Sequence, residues 1–284
     1  MKSEEQIEEV KKNIIIAGVS SDIGLALAKD WINKNWNVFG TYRTSSKTLD
    51  QINGVLKGLV SCDFACNESV DKACNLLNEN KLSWDVLVMA PGLQEPIGLF
   101  EESNFDDWTT SINVNFINQL RFLHNLLPER SKSSTSGPTV VFFAGGGVNS
   151  APKYYSAYTV AKIALIKIVE LLAAEIVDVK FIIVGPGWVK TKIHFSVLDA
   201  KNRGGESYDK TKQRFELDQF IPMDKVVECC NVLIEGPREV LTGRNYSVEA
   251  DDWYNSSLIE ELKNSSDAFK LRRSLYGVRK EKNE

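Results

Sequence analysis

The feature that most constrains the fold of this 284-residue chain is a regular alternation of short apolar runs with longer helix-like stretches. Residues 13–17 read NIIIA, a continuous apolar run typical of a strand buried on both faces. Further strand-like runs lie at 37–41, 58–62, 85–89, 139–143, 179–184 and 245–248, and helix-like stretches at 23–33, 68–80, 104–127, 156–177 and 223–235. This order predicts an α/β fold with one doubly wound parallel sheet of about seven strands and helices on both faces.

The same pattern divides the chain into a single large domain with two flanking segments. We expect a charged N-terminal extension over 1–12, one domain over 13–248 and a C-terminal tail over 249–284. The stretch 190–221 is long, polar and poor in strand signal, so we expect a loop that acts as a substrate lid. A second small polar loop is expected at 131–138.

Composition excludes several classes of function. The chain has 34 Lys and Arg against 38 Asp and Glu, a net charge of −4, so no basic excess favours a nucleic-acid or anionic-membrane partner. Apolar runs fall short of the ~20 residues that span a bilayer, and the N-terminus lacks the apolar segment of a secretory signal. The five cysteines lack C-x-x-C spacing, which favours buried reduced thiols in a cytoplasmic protein. His124 and His194 are isolated, and we expect no metal site.

A glycine turn after the first strand predicts an anion site. The segment 18–24 reads GVSSDIG and leads into a helix, whose free N–H groups and positive dipole end favour a phosphate. The candidate residues in this turn are Gly18, Ser20, Ser21, Ile23 and Gly24. The alternative is an ordinary turn between strand and helix, with Asp22 as the helix N-cap.

The second strand ends in Arg43, at the position that meets the adenosine ribose in a dinucleotide-binding fold. An acidic residue there binds the free 2′-hydroxyl of NAD, whereas arginine suits the 2′-phosphate of NADP. Arg43 therefore favours NADP over NAD as the cofactor. The alternative is a surface arginine without a ligand.

Tyr158 and Lys162 form a Y-x-x-x-K pair at the start of a helical apolar pattern. Residues four apart share one helix face, so the two side chains are neighbours. A nearby ammonium favours the phenolate and lowers the pKa of a tyrosine from its ordinary value of about 10. Such a tyrosine can exchange a proton with a carbonyl or alcohol oxygen.

The order of these motifs resembles that of the short-chain dehydrogenase/reductase family over roughly residues 12–250. The glycine turn, Arg43, Asp63 after the third strand, Asn115, Y-x-x-x-K and the PGWVKT segment follow one another as in that family. The resemblance implies a Rossmann-like fold, a nicotinamide cofactor and a small-molecule substrate. It makes Tyr158 the catalytic acid–base, Lys162 its partner and Asn115 the holder of a water in the proton relay. The cofactor residues it implies are the glycine-turn set and Arg43, with Asp63, Gly92, Tyr158, Lys162, Pro186, Gly187, Val189 and Thr191.

The chain departs from the family pattern at three positions. Asp22 replaces a glycine of the turn, where an acid would repel a pyrophosphate unless it turns away. The asparagine-rich turn after the fourth strand reads MAPG, and only Gly92 survives. The family's serine lies about thirteen residues before the tyrosine, where this chain has Gly145. Loss of such an oriented donor often costs ~10²–10³ in rate, although the backbone N–H groups of the glycine run 145–147 could replace it.

We therefore expect a hydride-transferring oxidoreductase that acts on a carbonyl or secondary alcohol. A cofactor-binding protein with weak or no turnover is the alternative, as is an epimerase or lyase that recycles its cofactor. Segments 250–253 (ADDW) and 271–273 (LRR) are similar to a bacterial subgroup associated with polysaccharide biosynthesis, which suggests a nucleotide-linked or activated sugar. The alternative is that Trp253 and Leu271 only pack the tail on the core. The resemblance also implies a homodimer or homotetramer, while the apolar stripe of the 156–177 helix fits either a core or an interface.

Overall fold

A seven-stranded, all-parallel sheet forms the centre of the computed structural model, which describes residues 11–79, 83–132 and 137–273. The strand order is β3-β2-β1-β4-β5-β6-β7, so the predicted doubly wound α/β fold is confirmed. The strands are β1 Asn13–Ala17, β2 Asn37–Tyr42, β3 Gly58–Ser61, β4 Val86–Met89, β5 Thr139–Phe143, β6 Lys180–Gly185 and β7 Arg244–Ser247. Each lies within one residue of its predicted start or end.

Helices cover both faces of the sheet. They are α1 Asp22–Asn33, α2 Lys47–Asn53, α3 Asn67–Glu79, α4 Phe105–Ile112, α5 Asn118–Leu126, α6 Ser156–Glu175, α7 Ile193–Ala200, α8 Glu206–Glu216, α9 Met223–Glu235, α10 Arg238–Leu241 and α11 Ser257–Lys263. The single predicted helix over 104–127 is α4 and α5 joined by a π-helical turn, Asn113–Ile117. Such turns are frequent at functional sites.

Alternate residues of the strands feed two separate apolar cores, because successive side chains of a strand point to opposite faces. Ile14 and Ile16 pack on the face covered by α1 and α9, whereas Ile15 and Ala17 pack on the face covered by α3, α5 and α6. On α6, Leu165, Ile168 and Leu172 pack against this second core, and Ala161 is buried. The predicted apolar stripe therefore contributes to the core of the chain.

One segment differs from the sequence expectation. The stretch 190–221 is not a loop, since it contains α7, a 3₁₀ turn and α8. Helix α7 is only eight residues long, which is too short for a clear helical period, and α8 is a polar surface helix in which only Thr211 is buried.

The tail packs on the domain, as the alternative for Trp253 and Leu271 stated. Trp253, Leu258 and Leu262 are buried in the first core, and Leu271 contacts the second.

Several other expectations concern the surface and the ends of the chain. Residues 1–10 of the proposed extension, 133–136 of the polar loop and 274–284 of the tail lie outside the described residues. All five cysteines are free thiols, and Cys66 is exposed while the other four are buried. Within the described ranges, no helix combines the length and apolarity that a bilayer span requires. Among the same residues, no three His, Cys, Asp or Glu side chains are grouped as a metal site would need.

Candidate active site

A cavity of about 930 Å³ opens at the carboxyl ends of the strands. The chain order reverses there between β1 and β4, which is the point where open parallel sheets bind ligands. The cavity is lined by Arg43 and Asp63 beside β2 and β3, by Tyr158 and Lys162 of α6, and by Ser207 of α8. It therefore brings together side chains from distant parts of the sequence.

The glycine turn lies at the floor of this cavity and needs its glycines for two different reasons. Gly18 has φ +69°, and a Cβ there would lie 3.1 Å from the backbone nitrogen of Pro91. A Cβ on Gly24 would lie 2.6 Å from the carbonyl oxygen of Gly18, so Gly24 permits close packing of α1 on the turn. The cap of α1 is Ser21, whose Oγ accepts a hydrogen bond from the Gly24 N–H at 3.1 Å. The alternative in which Asp22 caps the helix is therefore wrong.

The Asp22 side chain lines the cavity and contacts the segment that leads into α7. Its Oδ2 accepts a hydrogen bond of 2.6 Å from the backbone N–H of Lys192, and its Oδ1 lies 3.6 Å from the Lys192 ammonium. The negative charge is thus engaged by a cation and an N–H donor. Both contacts reduce the repulsion that the carboxylate exerts on an anion in the turn.

Arg43 and Asp63 border the end of the cavity beside β2 and β3. Arg43 is exposed, so its guanidinium is accessible from the cavity edge. The Asp63 carboxylate accepts a hydrogen bond from the Ala65 N–H at 3.0 Å, and the Asp63 N–H donates to Ser69 Oγ at 2.9 Å. Both contacts fix the turn after β3 and hold Asp63 against the cavity.

Tyr158 and Lys162 lie one helical turn apart on α6, as their spacing predicts. The Lys162 ammonium donates a hydrogen bond of 3.0 Å to the carbonyl oxygen of Phe143 at the end of β5. It lies 5.7 Å from the centre of the Tyr158 ring. Lys162 is therefore anchored to the sheet and faces the ring of Tyr158.

Burial controls the titration of both groups. Loss of solvation raises the pKa of Tyr158 to about 12 and lowers the pKa of Lys162 to about 8. The expected lowering of the tyrosine pKa is absent in this arrangement, because desolvation of the phenolate is the larger effect. At neutral pH, Tyr158 is thus a protonated phenol that can donate a proton.

The end of β5 has no side chain where the family has a serine. A Cβ built on Gly145 would lie 2.8 Å from Tyr158 Cε1, 2.9 Å from the Tyr158 hydroxyl oxygen and 2.9 Å from Lys162 Cγ. Of the two serines nearby in sequence, Ser150 lines the cavity. Ser156 is engaged elsewhere, since its Oγ accepts a hydrogen bond of 3.0 Å from Trp108 Nε1.

Asn115 lies behind the cavity wall and not in it. Its amide donates to the carbonyl oxygen of Leu93 at 2.6 Å and accepts from the Leu93 N–H at 3.0 Å. Gln119, one turn later, donates to the carbonyl oxygen of Pro91 at 3.1 Å. These two side chains brace the turn after β4 from the helix side, at the place where the asparagine-rich motif is missing.

The segment after β6 forms the opposite wall. Pro186, Gly187, Val189 and Thr191 all line the cavity, and Gly187 has φ +71°. The His194 ring stacks on Trp188 with 4.9 Å between ring centres, and its Nε2 lies 3.0 Å from the carbonyl oxygen of Val189.

Three further residues of the cavity, His194, Gln94 and Tyr155, belong to no sequence motif that points to a site. His194 Nδ1 and Gln94 Oε1 are buried and have no hydrogen-bond partner within the described chain. The Tyr155 hydroxyl is also buried in the wall and faces Ser207. Burial lowers the pKa of His194, which keeps its ring neutral. Since the carbonyl of Val189 can only accept, the proton belongs on Nε2 and leaves Nδ1 as an acceptor.

All residues proposed from sequence line the cavity except two. Gly24 packs against the carbonyl oxygen of Gly18, and Asn115 lies behind the turn after β4. The residues that the family resemblance implies therefore lie around one cavity, with these two in contact with its turns.

Comparisons with known proteins support a family assignment. A family model for short-chain dehydrogenases, described as enoyl-(acyl carrier protein) reductase, matches residues 18–250. An uncharacterised oxidoreductase of Schizosaccharomyces pombe is 24% identical over 248 residues, which is 84% of this chain and 96% of that protein.

Solved structures share the fold. A short-chain dehydrogenase/reductase from Saccharomyces cerevisiae has a TM-score of 0.74 at 24% identity, over 88% of this chain and 98% of that one. An actinorhodin polyketide ketoreductase with NADPH has a TM-score of 0.72 at 20% identity, over 84% of this chain and 95% of that one. The family model matches residues 18–250, which is most of the chain. This chain therefore belongs to the short-chain dehydrogenase/reductase family and is an oxidoreductase of that type.

Proposed function

We propose that this protein is a nicotinamide-dependent oxidoreductase that interconverts a carbonyl group and a secondary alcohol. The observation that carries the proposal is the convergence of Tyr158, Lys162 and the glycine turn on one cavity of about 930 Å³. The family resemblance implies a nicotinamide cofactor, and the structure of a similar ketoreductase contains NADPH. The cavity fits such a group, because Gly18 leaves its floor free of a side chain and Gly24 lets α1 begin directly beside it.

The cavity offers binding groups for each part of a nicotinamide dinucleotide. The glycine turn, with Ser20, Ser21 and Ile23, would bind the pyrophosphate, and Asp63 would meet the adenine. Arg43 would pair with a 2′-phosphate, which favours NADP. Val189 and Thr191, with Gly92 and the Pro186–Gly187 turn, would border the nicotinamide.

The chain's own part in the reaction is proton transfer and positioning. The bound cofactor would supply the hydride that forms the new C–H bond. Tyr158 donates its phenolic proton to the carbonyl oxygen, so that C=O becomes CH–OH, and then regains a proton from solvent. Lys162, fixed to Phe143 O, stabilises the phenolate that remains. Asn115 holds the turn after β4 in place, and its role in a proton relay is part of this proposal.

The first test is binding of NADPH and NADH followed by nicotinamide fluorescence. We expect Arg43→Ala to weaken NADPH binding by about 10-fold or more, since an ionic hydrogen bond contributes roughly 1.5–3 kcal/mol. NADH binding serves as the internal control and is expected to change little. Failure of both cofactors to bind would refute the proposal, and equal loss for both would refute the role of Arg43.

A second test separates catalysis from binding. We expect Tyr158→Phe to lower turnover by about 10²–10⁴-fold, because it removes the proton donor. Its NADPH affinity is expected to stay near that of the wild type. A product that carries deuterium from labelled cofactor indicates net reduction, whereas an unlabelled product with unconsumed cofactor would indicate an epimerase or lyase.

The substrate that the cavity favours carries hydroxyl groups. Buried acceptors without partners are costly, and Gln94 Oε1 and His194 Nδ1 are two such atoms in the cavity wall. A donor on the substrate would satisfy them, which supports an activated or nucleotide-linked sugar. The ADDW and LRR segments lend no contact to this substrate, since Trp253 and Leu271 pack on the cores. A panel of keto-sugars against simple ketones tests the preference: equal kcat/KM for both classes would refute it.

We also propose that the protein forms a homodimer or homotetramer. Apolar side chains remain exposed on α6 and on the helices before it, namely Phe105, Ile117, Val160 and Leu171. Large apolar side chains exposed on neighbouring helices are typical of a surface that is covered by another subunit. Light scattering with size-exclusion chromatography tests this, and a monomeric mass at micromolar concentration would contradict it.

A further inference from the structure

Gly145, at the end of β5, has no backbone reason to be glycine. Unlike Gly147, which has φ +101°, it does not lie in the left-handed region. What excludes a side chain is its neighbours: a Cβ would come within 3 Å of two Tyr158 atoms and of Lys162 Cγ. Carbon atoms that are not bonded pack at about 3.5–4.0 Å, so such contacts are repulsive.

The adjacent Gly146 provides the contrast. A Cβ there has no heavy atom of the described chain within 4 Å. Tyr158 and Lys162 thus lie against the first of these neighbouring glycines and not against the second. At the end of β5, Tyr158 and Lys162 leave no room for a side chain at Gly145, whereas a side chain at Gly146 would meet no neighbour within 4 Å in the described chain.

We propose that Gly145 is a positioning residue whose missing side chain lets the Tyr158 hydroxyl occupy the space beside β5 that a serine would otherwise fill. This inference rests on the proposed oxidoreductase function and deepens it. The site then works with Tyr158 and Lys162 and without a serine. Restoring the family's serine at this position should harm the site, because it forces the Tyr158 ring and the Lys162 stem to move.

The direct test introduces Gly145→Ala and Gly145→Ser, with Gly146→Ala as the matched control. Tyrosine labelled with ¹³C on the ring reports the surroundings of Tyr158, and its resonance is assigned by its absence in Tyr158→Phe. We expect both Gly145 variants to shift this resonance and to lower the melting temperature, while Gly146→Ala changes neither. Equal shifts in the Gly145 and Gly146 variants, or none in either, would overturn the proposal.

A double-mutant cycle keeps the test valid if Gly145→Ala folds poorly. In a Tyr158→Ala background the ring atoms that the new methyl group meets are gone, so we expect Gly145→Ala to lower the melting temperature less than it does in the wild type. An unchanged loss would mean that Gly145 is needed for another reason.

Turnover and cofactor binding complete the test. We expect Gly145→Ser to lower turnover by about 10²-fold, the size of effect that a displacement of ~1 Å can have, with NADPH affinity retained. Turnover equal to or above that of the wild type would overturn the inference. If the wild type binds neither NADPH nor NADH, the proposed function fails, whereas the resonance and melting measurements still decide the role of Gly145.

Discussion

Two buried lysines have pKa values of about 8 for the same physical reason but occupy opposite ends of the sheet. Burial lowers the pKa of Lys162 in the active site and that of Lys180 at the start of β6. Lys180 donates hydrogen bonds to the carbonyl oxygens of Ile234 and Gly236, at 2.6 and 2.7 Å. A cation at the carboxyl end of α9 also complements the helix dipole. Sequence spacing identified Lys162, while nothing in the sequence marked Lys180 as structural.

We expect Lys180→Met to lower the free energy of unfolding by about 2–4 kcal/mol at pH 7, because it leaves two buried carbonyls without donors. The folded pKa of about 8 lies below the ordinary 10.5. Burial of the ammonium therefore costs stability below pH 8, and this cost is relieved as pH rises from 8 towards 10.5.

The wild type should consequently gain stability relative to Lys180→Met over that range. Urea unfolding at pH 7 and pH 9.5 measures the difference, with the exposed Lys167→Met as control. If the difference in the free energy of unfolding between wild type and Lys180→Met were smaller at pH 9.5 than at pH 7, the lowered pKa of Lys180 would be contradicted.

At the scale of elements, helices α7 and α8 line one side of the cavity, and we call this pair the cover. Asp22 accepts a hydrogen bond from the Lys192 N–H just before α7. Within the pair, Phe195 of α7 contacts Phe215 of α8, with ring centres 5.7 Å apart. Asp22, the acid that breaks the glycine pattern, thus joins the glycine turn to the cover.

We expect Asp22→Ala to loosen this cover, with a cost of about 1–2 kcal/mol for the lost hydrogen bond to a charged group. Amide hydrogen exchange over 192–204 should become faster and KM should rise, with little change in global stability. Asp218→Ala is the matched control, since its ion pair with Lys190 is exposed and is worth about 0–1 kcal/mol. Equal effects of the two variants would contradict the role of Asp22.

At the scale of the whole molecule, residues 249–273 of the tail pack on the domain that precedes them. Arg244 of β7 is buried and donates to carbonyl oxygens of α10 and of the tail: Val240, Leu262, Ser265 and Ala268. Arg272 adds an ion pair with Glu170 of α6, whose carboxyl pKa is lowered to about 2 by this hydrogen bond. Residues 262–268 of the tail are therefore held beside β7, the edge strand of the sheet.

We expect Arg244→Met to lower the free energy of unfolding by about 3 kcal/mol or more, because several buried carbonyls lose their donor at once. Limited proteolysis should cut the segment 257–273 first. Arg272→Met, which breaks an ion pair at the surface, should lower the free energy of unfolding much less, because solvent screens such pairs. A similar loss for both variants would show that the buried guanidinium is not the main attachment.

The ion pair at Glu170 has its own pH dependence. Its folded pKa of about 2 lies below the ordinary 4.5, so its contribution to stability is present above pH 4.5 and is lost as pH falls towards 2. Thermal melting of wild type and Arg272→Met should converge over that range. Curves that keep a constant separation from pH 6 to pH 3 would contradict the pairing.

The sequence by itself determined the sheet, because strands buried on both faces must be apolar and the glycine turn must follow the first of them. Local spacing was enough for Tyr158 and Lys162, whose relation depends only on the period of a helix. The helices of 190–221 could not be predicted, because α7 is only eight residues long and α8 is a polar surface helix. The contact of Asp22 with Lys192 before α7 joins residues 170 apart, and no local pattern reveals it.

Only the tertiary structure decided what the departures from the family pattern mean. From the sequence, Gly145 marks the absence of the family's serine, and the MAPG turn marks the absence of its asparagine-rich motif. The fold shows Tyr158 and Lys162 against Gly145, and Asn115 and Gln119 holding the turn. The physical reason is that volume and hydrogen-bond satisfaction are properties of a packed site, to which residues far apart in the chain contribute together.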